Sequence, residues 1–271
     1  ISNNNLIMQS DDMRTGIKKI KIYDPPSRSL IYEDSQSKES DISRFCYGKD
    51  SDTITMLTEL YENNTVIQTI REKNIRTKKT EPLLSLRLTD EHKIPSISDA
   101  VQGKKGFAFY GTIVPAGASQ SSMCYGFIDD QGSLTNLKKQ ESFDMKSFNG
   151  GMLIYDSIPV KGKENQMLGH FELYNANAFT VKTIVPETKE ESYGNVSISD
   201  TGKYILTRTS SNNSDCIRVY DTTQNKIISK QIYKPSLKNV VQTSVSLSET
   251  DHAFVVMSMS DKEFELRYFQ F

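Results

Sequence analysis

The amino-acid sequence predicts an all-β chain built from repeats of a short four-stranded antiparallel meander. Three observations carry this. Apolar and polar residues alternate with a period of two along most of the 271 residues, and helical periodicity is hard to find. Short apolar stretches are punctuated by turn-forming residues at close intervals. One hairpin spelling, an alternating strand that ends on an anchoring Tyr or Ile, returns several times.

The clearest meander runs from Gly194 to Lys230. Val196–Ser199 alternates and predicts a first strand. Asp200, Thr201, Gly202 and Lys203 supply turn chemistry, because Asp accepts bonds from backbone amides ahead of it and Gly tolerates positive φ. Tyr204–Arg208 is the second strand, Ser210–Asp215 a polar loop, Cys216–Tyr220 the third strand. Asp221–Asn225 turns, and Lys226–Lys230 is the fourth strand.

The hairpin of third and fourth strands recurs at Lys19–Asp24 with Ser29–Tyr32, at Cys124–Asp129 with Ser133–Thr135, and at His170–Asn175 with Phe179–Val181. Phe264–Tyr268 is a last copy with no strand after it. The anchors Ile128, Tyr174, Tyr220 and Tyr268 follow one another at 46, 46 and 48 residues, a spacing that suits one four-stranded unit per repeat. Between Tyr23 and Ile128 the pattern is less regular. Phe45–Tyr47, Thr53–Leu60, Val66–Ile70, Leu83–Leu88 and Gly106–Ile113 read as strands, with a turn at Asn63–Asn64, and they fit one or two further repeats.

The stretch Ser197-Ile198-Ser199-Asp200-Thr201-Gly202-Lys203-Tyr204-Ile205-Leu206, followed by Ile217-Arg218-Val219-Tyr220-Asp221, resembles a β-propeller blade of the WD40, YVTN or TolB-like kind. Ser246–Val255 with Leu266-Arg267-Tyr268 is a weaker copy. The chain has no Trp and therefore no Trp-Asp dipeptide, so the strict WD40 signature is not met. The resemblance implies an all-β β-propeller of six or seven four-stranded antiparallel blades, as one domain over residues 1–271. A lone meander exposes two faces, and blades stacked around an axis bury both. The last blade lacks its outer strand. Asn4–Ser10 either supplies that strand or forms the second strand of the first blade. Two β-sandwiches also use short strands and regular turns, but they do not predict one hairpin spelling at a 46-to-48-residue step.

Composition narrows the function classes. Hydrophobic residues make up 36% and charged residues 25% of the chain, and mean hydropathy is −0.51, which predicts a soluble chain. Lys plus Arg number 33 against 34 Asp plus Glu, and this balance argues against a nucleic-acid partner, which requires a cationic excess. No apolar run is long enough for a transmembrane segment. The chain opens on Ile1 and shows no signal-peptide pattern. Cys46, Cys124 and Cys216 are far apart, with no Cys-x-x-Cys or Cys/His pair at metal spacing, and read as buried small apolar residues in strands.

No strong catalytic motif is present. His92, His170 and His252 are the histidines; His170 opens a strand at the end of a loop and His252 sits in a predicted turn, and a lone His in such a place reads as a surface or satisfied side chain, because a general base needs a second group positioned beside it. Asp129-Asp130-Gln131-Gly132 resembles the opening of a calcium loop but lacks the third-position Asp and the distal Glu, and reads as a hairpin turn. Asp11, Asp12, Asp200 and Asp221 read the same way. Arg71–Lys79 carries five cations and one Glu, and reads as a solvated linker between blades. The sequons at Asn63, Asn195 and Asn212 are no more than this composition gives by chance. No cofactor or metal is implied.

The functional expectation is geometric. In a four-stranded blade the loops between second and third strands emerge on one face. These are Asp11–Gly16, Pro115–Ser122, Lys161–Gln166 and Ser210–Asp215, the longer and more polar loops, and recognition concentrates on such loops. Arg14, Gln120, Lys163 and Asn212 are therefore the candidate binding residues. The expected function is a non-catalytic scaffold binding a protein or peptide partner through one face, as a component of a larger complex. The alternative is a propeller enzyme, lactonase- or lyase-like, with a metal or polar site at its axis.

Overall fold

A computed structural model of the chain describes residues 6–12, 17–24, 27–35, 41–47, 52–62, 65–88, 95–114, 120–159, 167–184, 195–211 and 214–271. Among these residues there are strands and turns and no helix. The strands form six antiparallel sheets, each wound in chain order. The first holds β1 (Leu6–Asp12), β2 (Ile17–Asp24) and β3 (Ser29–Ser35). The second holds β4 (Asp41–Tyr47), β5 (Thr53–Glu62), β6 (Thr65–Asn74) and β7 (Thr80–Leu88). The third holds β8 (Ser96–Gln102), β9 (Gly106–Ile113), β10 (Ser122–Asp129) and β11 (Leu134–Gln140). The fourth holds β12 (Asp144–Phe148), β13 (Gly151–Pro159), β14 (Met167–Asn175) and β15 (Thr180–Ile184). The fifth holds β16 (Asn195–Ile198), β17 (Tyr204–Ser211), β18 (Ser214–Asp221) and β19 (Lys226–Tyr233). The last holds β20 (Gln242–Ser248), β21 (Ala253–Met259) and β22 (Phe264–Gln270).

The repeated hairpin has a physical basis. At the end of the third strand an Asp or Asn carboxyl or amide oxygen accepts amide bonds from the turn that follows. Asn74 accepts from Arg76 and Thr77 at 3.0 and 2.8 Å. Asp129 accepts from Gln131 and Ser133 at 2.9 and 2.7 Å, Asn175 from Asn177 at 2.9 Å, and Asp221 from Thr223 and Gln224 at 2.8 and 2.9 Å. These bonds make Asp129 and Asp221 hairpin caps. Just before the fourth strand, Arg28, Lys78, Gly132, Phe179 and Asn225 adopt left-handed backbone, φ 55°, 60°, 83°, 56° and 57°. A register shift sits near the same point of the third strand at Ile22/Tyr23, Ile70/Arg71, Tyr125/Phe127 and Val219/Tyr220. Such bulges increase local twist and re-aim the strand end.

Two sequence expectations are resolved by the strand order. Leu6–Asp12 is the strand before β2 in the first sheet, the second-strand reading of Asn4–Ser10. Between Tyr23 and Gly106 the described residues hold one complete further sheet, β4–β7, before β8 opens the next. A third expectation is corrected. Arg71–Lys79 is no linker between repeats, because Arg71–Asn74 complete β6 and Ile75–Thr77 turn into β7 within one sheet. Its cations are also dispersed. Arg71 donates to Thr58 Oγ1 at 3.2 Å, Lys73 lies over the Tyr32 ring, Arg76 pairs with Asp52 at 2.9 Å and Lys79 pairs with Glu81.

The chain divides into two compact units. The first spans residues 1–142, 149–152 and 174–180, and the second residues 143–148, 153–173 and 181–271. In each, the core lies between consecutive sheets. In the first unit Ile22 and Tyr32 pack with Ile54, Met56 and Ile75, and Leu57, Ile70, Leu84 and Leu86 with Ile97, Phe107, Phe109 and Ile128. The buried Gln68 amide bridges two of these sheets, donating to the Ile97 carbonyl at 3.1 Å and accepting the Ile97 amide at 2.8 Å. In the second unit Leu153, Phe171 and Ile184 pack on Val196, Ile205 and Tyr220. Leu206, Ile217, Val219 and Tyr233 pack on Phe254 and Val256, with a buried Tyr233–Ser258–Thr243 hydroxyl chain at 2.8 and 3.1 Å.

Candidate binding site

An antiparallel meander fixes which connections share an end of a sheet. Strand direction alternates, so the turn from second to third strand lies at the same end as the link entering the first strand and the link leaving the fourth. In the second unit this end is described at the link from β19 to β20, residues 234–241, and at the turn from β21 to β22, residues 260–263. The two segments enclose a cleft of about 460 Å³ lined by Ser236, Leu237, Lys238, Asn239, Ser260, Asp261, Lys262 and Glu263.

The walls are held by specific bonds. The Val241 amide donates to the Met259 carbonyl at 2.8 Å, and the Ser260 amide to the Glu263 carbonyl at 2.9 Å. Ser260 Oγ accepts from the Glu263 amide at 3.1 Å, closing the turn. Glu265 Oε2 accepts from the Ser236 amide and hydroxyl at 2.8 and 2.9 Å, tying the link to β22. Burial alone raises the Glu265 carboxyl, but the Ser236 donors and the Arg267 guanidinium outweigh it and hold the group below its ordinary range. Asn239, one of the lining residues, takes left-handed backbone at φ 54°, which turns the link. Two lysines and two carboxylates line this polar cleft. The arrangement suits ion pairs and hydrogen bonds to a polypeptide segment carrying both charges.

The residues singled out in the sequence fall as follows. Gln120 is exposed, just before β10 in the first unit. Arg14, Lys163 and Asn212 lie outside the described residues, as does His92. The loop read as Ser210–Asp215 is shorter, because β17 runs to Ser211 and β18 starts at Ser214. Its base is clamped by Arg208, whose Nε and Nη2 meet the Asp215 carboxylate at 3.0 and 3.1 Å while Nη1 donates to the Thr243 carbonyl. The cleft residues were missed, although the same rule that picks Ser210–Asp215 picks residues 260–263 in the last repeat.

The other histidines separate clearly. His252 is an exposed turn residue at φ 47° beside the Tyr204 and Phe271 rings. His170, on β14, is flanked by carboxylates, with Nδ1 3.4 Å from Asp156 and Nε2 3.6 Å from Glu172. Among the described residues no group of three His, Cys, Asp or Glu side chains could hold a metal ion. Cys124 and Cys216 are buried in strands, as the sequence reading expects. No described helix is long and apolar enough to cross a membrane.

No protein-family model matches this chain, and no curated protein matches it. Solved structures do. The β-propeller domain of the Trilobed protease from Pyrococcus furiosus, which has an open velcro topology, is 8% identical with a TM-score of 0.54, over 99% of this chain and 80% of that one. An acylaminoacyl peptidase of Pyrococcus horikoshii is 9% identical, TM-score 0.56, over 98% of this chain and 43% of that one. TolB from Acinetobacter baumannii is 13% identical, TM-score 0.53, over 98% and 61%. The chain thus spans less than half of the peptidase and under two thirds of TolB. At these identities the likeness speaks to fold, and it agrees with the propeller resemblance carried by Ser197–Leu206 and Ile217–Asp221.

Proposed function

We propose that this chain is a non-catalytic β-propeller domain that binds a protein or peptide partner through the second-to-third-strand connections of its sheets. In this reading residues 1–271 are one domain of six or seven blades. Coverage of 99% of the chain by the β-propeller domain of the Trilobed protease supports this. The binding residues are Arg14 and Gln120 in the first unit, and Lys163 and Asn212 in the second, joined by Lys238 and Lys262. The carrying observation is the cleft between residues 234–241 and 260–263, a polar recess of peptide-binding size on a rigid β-scaffold. A library of short peptides immobilised on an array is the direct test. Lys238→Glu with Lys262→Glu is expected to weaken the best binders at least about tenfold, the loss of one good charged contact. Unchanged binding to this doubly substituted chain refutes the cleft.

A second reading, an enzyme with a polar site, is favoured by one observation, the His170 ring between Asp156 and Glu172. It requires hydrolytic or lyase turnover on a lactone or uronide panel that His170→Ala abolishes. Turnover unchanged by that substitution refutes it.

A further inference from the structure

The strand β22 stands apart from its counterparts. In the sheets with four strands the third strand is covered by the fourth. Ile128 on β10 is 0% exposed opposite Leu134, and Tyr220 on β18 is 6% exposed opposite Ile227. Among the described residues β22 is the outer strand of its sheet. There Phe264, Leu266 and Tyr268 are 68%, 58% and 59% exposed. They alternate along one face, and the intervening Glu265 and Arg267 lie on the other. A long apolar edge of this kind is a template for pairing with another strand.

The backbone of β22 says which residues present that edge. The Phe271 amide donates to His252 and the Ser260 amide to Glu263. Residues 263 and 271 therefore point their backbone groups towards β21, and by alternation so do Glu265, Arg267 and Phe269. Phe264, Leu266, Tyr268 and Gln270 point theirs outwards.

The strand reads Phe264-Glu265-Leu266-Arg267-Tyr268, with an aromatic at each end, opposite charges next, and leucine at the centre. We propose that a second copy of this chain occupies the edge, β22 against β22 in antiparallel register about a two-fold axis at Leu266. That register sets Leu266 opposite Leu266 of the second copy, Phe264 opposite Tyr268 and Glu265 opposite Arg267. It satisfies two independent conditions. Even-numbered residues, which carry the free backbone groups, meet even-numbered ones in hydrogen-bonded pairs. Glu265 and Arg267 fall in the closer non-hydrogen-bonded pairs, where opposite charges attract. The Arg267 guanidinium is half exposed and already beside Glu265, so the dimer extends an existing pair into a four-membered alternation of charge. On the opposite face six apolar side chains form one stripe. The surface is isologous, as a two-fold dimer demands, and lies on the outer edge of β22, sharing with the cleft only Glu265, which holds the cleft wall at Ser236, so that Arg267→Glu is the charge reversal that leaves that wall in place.

Analytical ultracentrifugation of the 271-residue chain tests this. One strand pair buries little area, so the dimer is weak and its fraction rises with concentration over roughly 5 to 500 µM. Arg267→Glu and Glu265→Arg each place like charges opposite one another, and each variant is expected to sediment as a monomer. Mixing the two restores complementary charge and yields a one-to-one heterodimer. The register is tested separately by oxidation. Leu266→Cys is expected to form an intermolecular disulfide, because directly opposed Cα atoms lie about 5.5 Å apart, within disulfide reach. Phe264→Cys is expected not to, because its two copies are offset by about 13 Å along the strands. A wild-type chain that stays monomeric throughout overturns the proposal, and edge capture by another segment or another protein gives that result. Dimers that survive either charge reversal, or an equal yield of both cysteine crosslinks, also overturn it.

Discussion

Replacing Gly202 by alanine tests how tightly the turn of the best-spelled repeat is built. Gly202 has φ +76°, and a Cβ placed on it would lie 2.7 Å from Phe148 Cε2 and 3.0 Å from Cδ2 and Cζ. The Phe148 ring is buried, so it has little room to retreat. A left-handed alanine costs about 1–2 kcal/mol, and overpacking a buried ring adds about 1–3 kcal/mol. Reduced freedom of the unfolded chain offsets about 0.4–1 kcal/mol. The net expectation is a loss of about 2–4 kcal/mol. Gly132→Ala is the matched control. Its φ is +83°, but the nearest atom to the new Cβ is Leu86 Cδ2 at 3.5 Å, an ordinary contact. It carries strain without a clash and should lose about 1 kcal/mol or less. Urea unfolding of both variants measures the difference. Phe148→Leu in the Gly202→Ala background should return part of the loss, with a coupling of about 1 kcal/mol. Equal losses at the two glycines, or simple additivity with Phe148→Leu, would refute the reasoning.

Two further predictions rest on single side chains. Asp221 accepts bonds from the Thr223 hydroxyl and amide and from Gln224. Burial opposes its ionisation, yet those bonds and the Lys203 charge hold its carboxyl below the ordinary range. A depressed folded value means the contribution is present above the unfolded pKa of about 3.9 and is lost as pH falls through the folded value. Urea midpoints should therefore drop between about pH 5 and 2, and Asp221→Asn should flatten part of that drop. Parallel curves for the two proteins would count against the assignment. The second prediction concerns Cys124. Burial pushes its thiol up to about 11, with Lys139 and the Gly111 backbone opposing weakly. At pH 8 the thiolate is then about a thousandth of the population, against about a quarter for an unperturbed thiol, and alkylation of Cys124 in the native protein should be slower than in denaturant by roughly two hundredfold or more. Peptide mapping that shows native labelling at the rate of the unfolded chain would contradict it.

Much of the fold was legible because the repeating hairpin is written locally. The Asp or Asn that closes each third strand is visible in the sequence, and so is the alternation of Val196–Ser199, Tyr204–Arg208 and Cys216–Tyr220. The structure places strands at all of these. The left-handed residue before each fourth strand was not legible. Arg28, Lys78, Gly132, Phe179 and Asn225 share one backbone conformation and no side-chain chemistry, because the strands on either side dictate the turn. Arg71–Lys79 was misplaced for a related reason. A run of charge in sequence reads as one patch, but in a hairpin it is distributed, with Arg71, Lys73, Arg76 and Lys79 each meeting a different partner.

The candidate site was harder to read because the repeat itself consumes the conspicuous polar residues. Asp129, Asp200 and Asp221 look like chemistry in a linear sequence. Asp129 and Asp221 spend their oxygens on the amides of their own turns, and Asp200 lies in the turn between β16 and β17. On the proposed binding reading, the candidates for recognition are positions where the repeat is broken. Tyr268 is an anchor like Tyr174 and Tyr220, yet Phe269 follows it where those have Asn175 and Asp221. Among the described residues β22 is the outer strand of its sheet. The link at residues 234–241 carries Pro235 and a left-handed Asn239, and the cleft opens beside it.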